Sequence, residues 1–206
     1  MKLTETQEKV LEKLVASGIT EKFYLAGGTA LMMRYNHRFS GDFDFFSRPR
    51  EEFDVRNKIP ELDNVQILDE KKDTMIFIKD SIKCSFFEYD YPLLRPLVKL
   101  KGYGISVASD EDITSMKAIA IIQRGEKKDF FDLWTLMVRN DWSLEDITGF
   151  CEAKYGERFN PSLLLKALTF FEDAEKDKIA DIDLRWDDIK NYFIILVKEF
   201  MRGERS

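Results

Sequence analysis

The sequence predicts an α+β fold, a mixed β-sheet core with an N-terminal helix over 1–108 and a helical half over 109–206. Three observations predict it. Short apolar and aromatic runs bounded by turn residues recur from Phe23 to Ala108. Beyond Ala108, apolar residues recur at helical spacing behind capping sequences. No internal repeat, low-complexity tract or long linker breaks either half.

Thr4 to Gln7 reads as a capping box, with Val10, Leu11, Leu14 and Val15 following at helical spacing and Ser17-Gly18 as the stop. Phe23 to Ala26 reads as a strand broken by Gly27-Gly28, and Thr29 to Tyr35 as a helix rich in Ala, Leu and Met. Asp42 to Phe46 is the next expected strand, and a short helix is expected around Phe53 to Ile59. Val65 to Leu68, Met75 to Ile78 and Ile82 to Glu88 are three more strands, the last two joined by a turn at Lys79-Asp80-Ser81. Ile105 to Ala108 closes the sheet part. Helices then follow through Ile113 to Ile121, Phe130 to Met137, from Ser143 to about Tyr155, after Asn160-Pro161, and from Asp187 to Arg202.

With 44% hydrophobic residues and 17 Phe in 206, the chain buries a substantial core and is not disordered. No apolar run approaches the roughly 20 residues of a membrane span, and "MKLTETQEKV" lacks a signal-peptide apolar region, so the expectation is a cytoplasmic protein. Cys84 and Cys151 lack metal-ligand spacing, and a single His37 rules out a His-rich metal site. A net charge of −6 excludes a general nucleic-acid coat but allows a local basic cleft.

The chemistry concentrates in "LAGGTALMMRYNHRFSGDFDFF". On a strand, Asp42 and Asp44 project from one face, roughly 7 Å apart at Cα, with Phe43 and Phe45 on the other. Such a pair suits magnesium, and metals roughly 4 Å apart clamp the oxygens of a phosphoryl transfer. The bland alternative is two solvated aspartates. Gly27-Gly28, between a strand and a helix start, bares backbone N–H groups where a phosphate binds, a Cβ there blocking its approach. The alternative is an ordinary tight turn.

Together these residues resemble the signature of nucleotidyltransferases with a polymerase-β-like core. "AGGTAL…HRFSGDFDFF", with the later block "MKAIAIIQRGEKKDFFDLW", is similar to the AbiEii/AbiGii toxin-type nucleotidyltransferases. The resemblance covers roughly residues 20 to 140 and implies a nucleotidyltransferase-like core, completed by the helical half at a cleft. By that resemblance Asp42 and Asp44 are catalytic and bind Mg2+, and Gly27, Gly28 and Thr29 contact the triphosphate. Arg38 and Ser40 lie just before the metal strand, and Arg38's planar fork suits phosphate, or a structural carboxylate. His37 reads as a local structural or exposed residue.

Many relatives carry a third carboxylate on a later strand; here Ser85 falls at that position. Glu88 lies three residues on, on the opposite face without a bulge, and Asp90 beyond the strand's end. In the helical block, Lys117 and Arg124 share a face, two turns apart, where a snorkelling side chain is the alternative to a ligand. The resemblance implies nucleotide-binding roles for Lys117, Arg124, Lys128 and Asp129. Asp129 also suits a helix N-terminus, and Asp132 is expected to brace a cation such as Arg124. Arg95, Lys99 and Lys101 are a solvated basic run or an RNA-backbone contact; Phe86, Phe87, Tyr89 and Tyr91 are core, or include one base-stacking ring.

The expected function is therefore Mg2+-dependent transfer of NMP from a nucleoside triphosphate to an acceptor hydroxyl. The resemblance points to the toxin of a bacterial toxin–antitoxin or phage-defence pair, with tRNA as candidate acceptor and a cognate antitoxin as candidate partner. A non-catalytic nucleotide- or RNA-binding module of the same fold is the alternative.

Overall fold

The computed structural model describes residues 3–203, and the chain divides into two compact units between Ser109 and Asp110. The class is α+β. The first unit holds helix α1 (Glu5–Ala16), strand β1 (Phe23–Ala26), helix α2 (Gly27–Tyr35), strand β2 (Phe43–Ser47) and a 3-10 turn at Arg56–Glu61. Strands β3 (Val65–Glu70), β4 (Thr74–Lys79), β5 (Ile82–Phe87), β6 (Val98–Leu100) and β7 (Ile105–Val107) follow.

These strands form one sheet in the order β3-β4-β5-β2-β1-β7-β6. It is mixed: β2 runs antiparallel to β1 but parallel to β5, and β1 runs parallel to β7. One sheet face carries Phe23, Leu25, Phe43, Phe45, Phe77 and Phe86, all buried. Phe86 stacks on Phe45 at 4.9 Å and meets Phe23 edge-on at 5.1 Å between ring centroids. The β4–β5 hairpin turns on Asp80 and Ser81, at φ 47° and 69°. This left-handed pair matches the twist of the strands it joins.

Sequence punctuation misplaces a few boundaries. Gly27 and Gly28 open α2 rather than preceding it, and Asp42 lies one residue ahead of β2. The helix expected around Phe53 to Ile59 is the 3-10 turn at Arg56–Glu61, where Pro60 lacks the N–H that a longer helix needs. Strand β6 was not anticipated.

The second unit holds α3 (Asp110–Gln123), α4 (Lys127–Asn140), α5 (Leu144–Tyr155), α6 (Pro161–Leu168), α7 (Ala180–Asp183) and α8 (Trp186–Arg202). Ser143 and Asp146 complete a capping box at α5, and Asn160 caps α6 ahead of Pro161. Gly203, left-handed at φ 69°, closes α8. Phe130 centres an aromatic core, with Phe171, Trp186 and Phe193 at 5.3–5.8 Å. Among the described residues, no helix is long and apolar enough to cross a membrane.

Buried lysines tie both units internally. In the sheet unit the Lys79 ammonium donates to the Asp63 carbonyl at 2.6 Å and its carboxylate at 2.8 Å, and Lys13 of α1 grips the same carboxylate. In the helical unit Lys127 reaches the Asp177 carbonyl and the Asp183 carboxylate, each at 2.6 Å. Lys154 and Asp112 pair at 2.6 Å with both side chains fully buried. Burial pushes the Lys154 pKa below its ordinary value, against the pull of Asp112. Removing one partner strands the other charge. Asp112→Asn should therefore lower unfolding stability by about 3 kcal/mol or more, while the paired change Asp112→Leu with Lys154→Met should cost less than the single one. Urea unfolding of the three proteins checks both statements.

Candidate functional site

Phe43 and Phe45 are fully buried, so the alternation along the chain leaves Asp42 exposed and Asp44 half-exposed. In β2, Asp44 pairs with Ala26 of β1 on one side and with Ser85 of β5 on the other. Both carboxylates act on the buried Cys84. Its thiol is pushed up to about 12, first by burial and then by the negative charge of Asp42, with Asp44 adding to it.

The Ala26↔Asp44 pairing sets the glycine turn against the carboxylate. Gly27 has φ +69°, and a Cβ there would lie 3.2 Å from Asp44 Oδ2. A Cβ on Gly28 would overlap the Arg38 guanidinium and come within 2.9 Å of Ser40 Oγ. The glycines thus have an immediate structural reason: protein groups already fill the space a side chain would take. Thr29 Oγ1 donates to the Asp42 carbonyl in a short hydrogen bond. Gly27, Gly28, Thr29, Arg38, Ser40, Asp42 and Asp44 consequently lie together within the sheet unit.

The segment leading to Asp42 is folded back on α2. Arg38 is buried and its Nη1 donates to the Phe39 carbonyl at 2.9 Å; Ser40 N–H donates to Met32 Sδ at 3.3 Å. Gln7 of α1, which sequence reading treats only as a cap, also donates to the carbonyls of Ser40 and Gly41 at 2.9 and 3.2 Å. That second role is long-range and leaves no mark on local spacing. His37 is half-buried in the turn after Asn36, the left-handed end of α2.

The donor set fits a hard divalent cation in one mode. No group of three or more His, Cys, Asp or Glu among the described residues is arranged to hold a metal. Two carboxylates beside a glycine turn do suit magnesium that arrives on a nucleotide, because that ion takes one or two carboxylates plus phosphate and water. Ser85 is the in-register neighbour of Asp44 and is buried; Glu88 and Asp90 lie past the end of β5 and are exposed. No third carboxylate therefore extends β5 next to Asp44. On this side of the sheet, Phe46 lies 5.4 Å from Phe87 and 5.1 Å from Tyr89, centroid to centroid.

The helical unit gathers a second cluster of expected residues. Lys117, largely buried, is held by Asp129 at 2.9 Å and Asp132 at 2.6 Å. Arg124 forks onto Asp129 through Nε at 2.8 Å and Nη2 at 3.0 Å. Asp132 thus braces a cation, Lys117. Lys128 turns outward to Glu126 at 2.9 Å. The side chains of Arg124 and Lys128 keep 50% and 41% exposure, against 7% for Lys117, so these two cations retain access to solvent.

Burial alone would raise the Asp129 carboxyl; the nearby Lys117 and Arg124 charges hold it below the ordinary carboxylate value instead. The folded protein then binds fewer protons than the unfolded chain through the acid range. The resulting stabilisation is complete above the unfolded pKa of about 4 and is lost as pH falls through the folded value. Asp129→Asn should cost about 3 kcal/mol at pH 7, with the gap to wild type closing below pH 4. Denaturant unfolding across that range measures it.

The family described as "Nucleotidyl transferase AbiEii toxin, Type IV TA system" matches residues 9–92 and 79–200. A protein of Aquifex aeolicus (strain VF5), aq_aa25, is 47% identical over 205 residues, covering 98% of this chain and 99% of the relative. Among solved structures, JHP933 from Helicobacter pylori is similar with a TM-score of 0.55 at 18% identity, covering 98% of this chain and 96% of that one. The antibiotic-resistance factor ANT(2'')-Ia gives 0.56 at 13% identity, over 73% of this chain and 92% of that one. These two likenesses show a shared fold. Matched along nearly its whole length, the chain belongs to the AbiEii nucleotidyl transferase toxin family.

Proposed function

We propose that this nucleotidyltransferase binds a nucleoside triphosphate with Mg2+ at the Gly27–Thr29 turn and the Asp42/Asp44 pair. It then transfers NMP to an acceptor hydroxyl, with tRNA as candidate acceptor. The supporting observation is the approach of the Asp44 carboxylate to Gly27, where a Cβ would lie 3.2 Å from Oδ2. A phosphate on the bare N–H groups of that helix start lies beside a carboxylate suited to the accompanying cation.

The acceptor oxygen attacks the α-phosphorus, the bond from that phosphorus to the bridging oxygen breaks, and pyrophosphate leaves. Bound there, the cation would neutralise charge on the triphosphate oxygens. Asp42 and Asp44 would hold it, and the hydrogen bond from Thr29 fixes the backbone at Asp42. Arg38, over Gly28, adds a positive charge to the turn. Ser85 provides no base, so the acceptor's proton passes to water. Within the helical unit, Arg124 and Lys128 are solvent-accessible cations suited to phosphate, Arg124 being held by Asp129, which Lys117 also grips. Action as a toxin countered by a cognate antitoxin is the biological setting.

A second reading, nucleotide binding without turnover, is favoured by the buried Ser85 beside Asp44. One experiment separates the two. Wild type incubated with Mg2+, each α-labelled triphosphate and a pool of total RNA and protein should label an acceptor. Asp42→Ala and Asp44→Ala should each cut labelling by about a hundredfold or more. Equal labelling by both variants would contradict the site, and wild-type binding with no label anywhere would favour the second reading.

A further inference from the structure

Gln7 stands out because both ends of its buried amide are committed to different parts of the sheet unit. Its Oε1 accepts from the Thr4 N–H at 3.0 Å and the Thr4 hydroxyl at 3.2 Å, completing the cap of α1. Its Nε2 donates to the carbonyls of Ser40 and Gly41. These partners orient the amide: donors meet its oxygen, and carbonyls meet its nitrogen.

The loop so held runs directly into Asp42. Nearer ties join it: Arg38 donates to the Phe39 carbonyl, the Ser40 N–H to Met32 Sδ, and Thr29 to the Asp42 carbonyl. Gln7 is 33 residues upstream of Ser40 and anchors the loop to a separate helix. A cap needs only an acceptor at this position, and Glu serves there as well as Gln. The donor end is surplus to capping, and it falls on the two carbonyls just before the exposed carboxylate. Losing that donor leaves both carbonyls without the tie to α1.

We propose that Gln7 is a positioning residue for the metal–nucleotide site. It clamps Ser40 and Gly41 so that Asp42 is held at the geometry that accepts the nucleotide-borne cation. The inference rests on the site reading above. The residue touches neither cation nor substrate; it acts through the backbone of the loop.

Two variants divide its roles. Gln7→Glu keeps the acceptor for Thr4 and removes the donor, while Thr4→Ala removes the cap hydroxyl and keeps the amide. The readout is the Mg2+ concentration giving half-maximal binding of a fluorescent nucleoside triphosphate, beside the thermal midpoint of each protein. Loss of the clamp should raise the Mg2+ midpoint of Gln7→Glu about tenfold, the scale of one buried hydrogen bond. Thr4→Ala should lower the thermal midpoint and leave the Mg2+ midpoint at the wild-type value. If Gln7→Glu does not fold, Gln7→Met, similar in volume and without the donor, serves with the same expectation. An unshifted Mg2+ midpoint in the Gln7 variant, or an equal shift in Thr4→Ala, would overturn the clamp alone. Absence of Mg2+-dependent binding in wild type would overturn the site reading, and the clamp with it.

Discussion

The register of β2 governs the candidate site. Phe43 and Phe45 fill the core face, Phe45 stacking on Phe86, and the alternation turns Asp44 to the other side, in register with Ala26 and Ser85. Burying each phenylalanine contributes on the order of 2 kcal/mol. A one-residue slip would expose both rings and drive carboxylates into a phenylalanine-lined core, so the two costs add and the register is strongly specified. From that register follow the approach of Asp44 to Gly27, the seating of Arg38 over Gly28 and the placement of Ser85 beside the carboxylate. The electrostatic cost of two neighbouring aspartates is tolerated because one is exposed and the other half-exposed.

Much of this was legible in the residues themselves. The Asp-Phe-Asp-Phe alternation and the glycine pair sit within a few residues of each other, and strand periodicity alone implies which side chains share a face. Capping boxes at Thr4 and Ser143 are equally local, and both are present. Strand β6 was missed because it is three residues long and lies between Pro96 and the turn before Gly104. The boundary at Asp42 differs by one residue, since strand pairing ends at Phe43↔Cys84.

Other features arise from contacts between distant segments and leave no periodic trace. Lys154 pairs with Asp112, 42 residues earlier, out of solvent, and nothing in the local spacing marks it. Lys117 was expected to aim at phosphates, and its ammonium is held by two carboxylates. The surroundings of Gly28 were likewise hidden: only folding the chain back brings Arg38 and Ser40 over it. A glycine that suits a phosphate in sequence can serve an arginine in the folded chain, and both uses exploit the missing Cβ.

The candidate site offers two carboxylates rather than a protein-made metal cage among the described residues. Two carboxylates supply part of a coordination sphere, and phosphate oxygens and water must complete it. The most direct test is a crystal structure with Mn2+ and a non-hydrolysable nucleoside triphosphate, located by the anomalous signal of the metal. The predicted result is Mn2+ bound by the carboxylates of Asp42 and Asp44, with the triphosphate on the N–H groups at Gly27 to Thr29. Nucleotide bound elsewhere, with both carboxylates free of metal, would contradict the account.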